Sequence, residues 1–125
     1  MEGAKIAIFE DNESVRSVIR IRLFGSAHTV AHEATSLAES MSLIETMEEG
    51  DIDLALVDAN YSGSIEDGSE GELIASILRN KFKNLVIVGI SGTRPIPSAH
   101  YNVDKVEFVL KVGQIIDELP DTAPA

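Results

Sequence analysis

The chain has 125 residues, and 10 Lys plus Arg against 21 Asp plus Glu leave a formal charge of −11. A chain of this order makes one domain that buries roughly two-thirds of its unfolded surface and needs no staple, and the absence of Cys means that no disulfide can form. The acidic balance argues against direct nucleic-acid binding, which draws on Lys and Arg to displace phosphate counterions. No apolar run approaches the ~20 residues of a membrane span, and the first residues lead straight into a strand-like run without a leader, so a cytoplasmic location is expected.

Short β-branched runs alternate with segments of helical spacing, the pattern of a wound α/β sheet. Lys5-Ile6-Ala7-Ile8-Phe9 is the first strand and ends in Glu10-Asp11. Asn12 or Ser14 caps a helix carrying Val15, Val18, Ile19 and Leu23, which Gly25 stops. Thr29 to Ala34 is a second strand, and Ser36 with Glu39 forms a capping box for a helix with the stripe Leu37, Met41, Ile44 and Met47, ended by Gly50. Ile52 to Val57, finishing at Asp58, is apolar nearly throughout and is read as a central strand. Ala59 to Gly71 is a long Gly/Ser/acid-rich loop, followed by a helix with Leu73, Ile74, Ile77 and Leu78. Leu85 to Ile90 is the fourth strand, ending at Ser91-Gly92-Thr93; Pro95 and Pro97 leave room only for a short helix starting near Ser98. Val106 to Leu110 is expected as the fifth strand, ending at Lys111, with a last short helix over Val112 to Leu119. Domain organisation is then a single unit, 1–119, with a Pro/Ala-rich tail, 120–125.

Side chains at the carboxyl ends of central parallel strands meet in one crevice. Here those are Glu10, Asp11, Asp58, Ser91 and, on this reading, Lys111. At ~4 Å and an effective dielectric near 20, each like-charge carboxylate pair costs about 4 kcal/mol, so either a cation sits among the acids or their pKa values rise. Oxygen ligands without His or Cys suit Mg²⁺ or Mn²⁺. A metal, a lysine and a hydroxyl are together what a transferring phosphoryl group requires.

In type and order these strand ends resemble the receiver domains of two-component response regulators, over the whole chain. The resemblance implies a flavodoxin-like, doubly wound five-stranded parallel sheet of order 2-1-3-4-5 with helices on both faces. It further implies that Glu10, Asp11 and Asp58 hold Mg²⁺ with the backbone carbonyl of Asn60, that Asp58 accepts phosphate, that Ser91 and Lys111 engage the phosphoryl oxygens, and that Phe108, three residues before Lys111, is a rotameric switch working with Ser91. Val112 stands where the family usually has Pro. The implied function is a stand-alone phosphorelay receiver. It would take its phosphoryl group from a histidine kinase or histidine phosphotransfer protein, act on a downstream protein target, and catalyse its own phosphorylation and dephosphorylation without being a turnover enzyme.

Other readings stand beside this one. An isolated Asp after a strand is more often a turn cap, and Ser91-Gly92-Thr93 is also ordinary turn chemistry. Arg16, Arg20 and Arg22 read as a solvated helix face, and His28, His32 and His100 have no ligand spacing. Three alternatives are a receiver fold serving only as a docking module, an Asp-nucleophile phosphohydrolase of the haloacid-dehalogenase type, which would need an Asp where Asn60 stands, and an FMN binder, whose phosphate Glu10-Asp11 would repel.

Overall fold

The computed structural model describes residues 1–59, 69–92 and 94–124. Five parallel strands, β1 (Lys5–Phe9), β2 (Thr29–Ala34), β3 (Leu54–Asp58), β4 (Val86–Ser91) and β5 (Tyr101–Asp104), form one sheet in the order β2-β1-β3-β4-β5. Helices α1 (Glu13–Leu23), α2 (Leu37–Thr46), α3 (Ser69–Lys81), α4 (Lys105–Leu110) and α5 (Val112–Glu118) complete the described elements.

The two-residue period of the strands sorts the core into two layers. Ala7, Phe9, Ala55, Val57 and Ile87 pack with Ile44 of α2 and Ile74 and Leu78 of α3. Ile6, Ile8, Leu54, Leu56 and Val88 pack with Ile19 of α1, Phe108 of α4 and Val112 and Ile116 of α5. Every side chain of β3 is buried, because this strand is sandwiched between both layers.

The helix starts follow local chemistry. Asn12 Oδ1 accepts from the N–H groups of Ser14 and Val15 at 2.9 and 3.2 Å. Ser36 Oγ accepts from Glu39 N–H, while the Glu39 carboxylate reaches past the cap to the N–H and hydroxyl of Thr35, both at 2.8 Å.

The last third of the chain departs from the sequence expectation. β5 is Tyr101–Asp104, and Val106 to Leu110 belongs to α4. Asp104 caps that helix, its carboxylate accepting from Glu107 N–H at 3.1 Å. The deciding physics is a stripe: Phe108, Val112 and Ile116 recur at four-residue steps and are fully buried, so the helical period satisfies the core where an extended Val106–Leu110 would not. Val106 and Leu110 are correspondingly left exposed. The short helix expected near Ser98 is absent as well: the described residues between β4 and β5 form no helix, and Ile96 and Ala99 cover the sheet there instead.

Candidate functional site

Glu10 follows β1 and Asp58 ends β3, and the β1–β3 register brings these two strand ends side by side. Carboxylate oxygens of Glu10, Asp11 and Asp58, one from each, all lie within 4.8 Å of one another. Glu10 and Asp58 are buried, at 3% and 5% exposure. Ser91 is the last residue of β4, next to Ile90, whose carbonyl accepts from Ala59 N–H at 3.0 Å; its hydroxyl accepts from Arg94 N–H at 2.8 Å.

The cation at this site is Lys105, not Lys111. Lys105 is the first residue after β5, and its Nζ lies 2.9 Å from Glu10 Oε1 and 3.4 Å from Asp58 Oδ2. Lys111 is exposed at the junction of α4 and α5. Moving β5 towards the N-terminus moves the strand-end lysine with it, and the residue after that lysine becomes Val106. Phe108 is likewise not on β5. It is buried in α4, three residues beyond Lys105. The position three residues before Lys105 is Asn102, whose Oδ1 accepts from Ile96 N–H at 2.7 Å and whose Nδ2 donates to Ile96 O at 3.1 Å. A side chain at Gly89 would meet that Oδ1 at 2.4 Å, so this amide clamp depends on glycine in β4. Asn60 lies outside the described residues, as does Thr93.

Burial raises the pKa of Glu10 to about 8; the adjacent Asp58 carboxyl adds to this, and Lys105 opposes it without prevailing. Burial also works against the charge on Lys105, but its two carboxylate neighbours outweigh that and hold its ammonium above the ordinary lysine range. Among the described residues Glu10 Oε2 is buried with no hydrogen-bond partner, a state that costs free energy unless something takes it up. A cluster of hard oxygens with an unsatisfied buried carboxylate fits a small divalent cation with an oxygen shell.

Two supporting residues escape the sequence reading. Gly71 sits in α3 where an added Cβ would lie 2.5 Å from Asp58 O and 2.8 Å from Ala59 Cα, so the helix approaches the strand end more closely than any side chain allows. Arg16 is only 8% exposed, contrary to the solvated face expected for it, and its guanidinium donates to Glu10 O at 2.8 Å. The Asp104…Glu107 cap and the 108/112/116 stripe are the signals that would have located Lys105.

No family model and no curated protein sequence matches the chain. Solved structures do. A response regulator from Thermotoga maritima superposes with a TM-score of 0.66 at 15% identity, covering 91% of this chain and 98% of that one. The signal receiver domain of the putative response regulator NarL from Mycobacterium tuberculosis gives 0.60 at 18% identity over 95% and 100% of the two chains. A Burkholderia pseudomallei response regulator, solved with a phosphorylated aspartic acid, a calcium ion and citrate, gives 0.58 at 17% identity over 91% and 71%. Sheet order, strand-end chemistry and these superpositions agree: the chain has the receiver-domain fold of response regulators.

Proposed function

We propose that the chain is a phosphorelay receiver in which Asp58 accepts a phosphoryl group from a phosphohistidine of a histidine kinase or phosphotransfer protein. The observation that carries this reading is the placement of Lys105 Nζ between the buried carboxylates of Glu10 and Asp58, with Asp11 completing the acidic cluster. An Asp58 carboxylate oxygen attacks phosphorus, the P–N bond to the donor imidazole breaks, and the departing nitrogen takes up a proton. Lys105 offsets charge on the phosphoryl oxygens, and the hydroxyl of Ser91, the last residue of β4, donates to one of them. Glu10, Asp11 and Asp58 would hold Mg²⁺ or Mn²⁺. Such an ion supplies Lewis-acid stabilisation of the transferring group.

The test is intact-mass measurement after incubation with a small phosphodonor and Mg²⁺. One added phosphoryl group is expected on the wild type and none on Asp58→Asn or without divalent metal. Failure to incorporate phosphate from any donor would leave the fold as a docking module.

A further inference from the structure

Arg16 is the one arginine of α1 drawn into the interior, and its partners converge on the turn that carries two of the site's acids. Its guanidinium donates to the main-chain carbonyl of Glu10 at 2.8 Å, pairs with the Glu13 carboxylate and lies 3.2 Å from Glu33 Oε1. The Glu10 N–H donates to Ala34 O at 3.1 Å, so the backbone of Glu10 is held on both sides, by β2 and by Arg16. The carbonyl that Arg16 takes belongs to the Glu10–Asp11 peptide unit, whose plane sets the directions in which both side chains leave the turn. Repulsion among the clustered acids, once all are ionised as ligands must be, pushes against that turn. A planar fork with several donors resists the push from behind, as an ammonium on a flexible stem would not.

We infer that Arg16 is a positioning residue for cation binding, locking the β1–α1 turn so that the Glu10 and Asp11 carboxylates are preorganised for a divalent cation. This rests on the metal-binding part of the receiver reading. Arg20 provides the internal control. It pairs with the same two acids, Glu13 and Glu33, yet among the described residues its hydrogen-bond partners are all side chains, and the Glu10 carbonyl is not one of them.

The experiment is calorimetric titration of Mg²⁺ into the full chain as wild type, Arg16→Met, Arg16→Lys and Arg20→Met, each checked for a cooperative melt. Removing a group that orients metal ligands typically weakens affinity 10–100-fold. Arg16→Met is therefore expected to raise the Mg²⁺ dissociation constant at least about tenfold, Arg16→Lys to restore it only in part, and Arg20→Met to leave it within about twofold. Amide exchange at Asp11 and Asn12 in the metal-free protein should quicken in Arg16→Met, less so in Arg16→Lys, and not in Arg20→Met. The inference is overturned on its own if the wild type binds Mg²⁺ and Arg16→Met binds it equally well, or if Arg20→Met loses as much. A wild type that binds no Mg²⁺ overturns it together with the metal-binding reading. Should Arg16→Met fail to fold, Arg16→Lys decides: wild-type affinity with unchanged amide exchange refutes the inference.

Discussion

Cation binding at this site should be tied to a proton. In the metal-free protein Glu10 has its pKa pushed up to about 8, chiefly by burial and by the adjacent Asp58 carboxyl. At pH 7 its carboxyl is therefore largely protonated, and a divalent cation must displace that proton before Glu10 can act as a ligand. Each pH unit below 8 then weakens apparent affinity about tenfold, so Mg²⁺ should bind roughly ten times tighter at pH 7 than at pH 6, with the gain flattening above pH 8. The sign for stability runs the other way. The pKa of Glu10 is higher in the fold than its ordinary value of 4.5, so its stabilising contribution to the metal-free protein is complete below 4.5 and lost as pH rises through 8. Titration calorimetry in two buffers of different ionisation enthalpy should report close to one proton released per Mg²⁺ at pH 7. Glu10→Gln should abolish both the release and the pH dependence. Affinity that is flat between pH 6 and 8, with no proton released, would refute the reasoning, since Glu10 would then already be ionised.

Three further outcomes follow from the packing and charges. Lys105→Met should slow phosphoryl uptake at least about a hundredfold, the scale for losing one group that stabilises transferring charge, while Lys111→Met should leave the rate unchanged; the reverse result would restore the strand assignment that the fold rejects. Gly71→Ala would gain up to ~1 kcal/mol anywhere else in a helix, but here its methyl meets the Asp58 carbonyl, and overpacking of about 1–3 kcal/mol wins; a urea midpoint at or above that of the wild type would contradict the close approach. His100 Nδ1 accepts from Ile87 N–H at 3.0 Å, and burial, then Arg79, hold its pKa below the ordinary 6.5, so its contribution is present above pH 6.5 and lost as pH falls below that value. His100→Asn keeps an acceptor at the same branch and should show a smaller drop in urea midpoint between pH 7.5 and 5.5 than the wild type, and equal drops would exclude the effect.

Local chemistry and periodicity are enough, through β4, to locate four strands of the sheet and its acids. β1, β3 and β4 are apolar runs flanked by caps and stops that act within a few residues, so Glu10, Asp11, Asp58 and Ser91 could be placed at strand ends before any tertiary contact was known. After β4 the same reasoning misplaced the fifth strand, because Val106 to Leu110 is as apolar as a strand whereas Tyr101–Asp104 alternates with polar residues. Short apolar runs carry no period of their own to separate strand from helix. Packing decided it. The layer containing Ile8, Leu56 and Val88 needed Phe108 from α4 and Val112 and Ile116 from α5, and burying those three set β5 six residues earlier than Lys111 would require, bringing Lys105 to the acids. Arg16 and Gly71 belong to tertiary structure for the same reason: a buried guanidinium and a missing Cβ have meaning only once the backbone they touch has been brought to them from elsewhere in the fold.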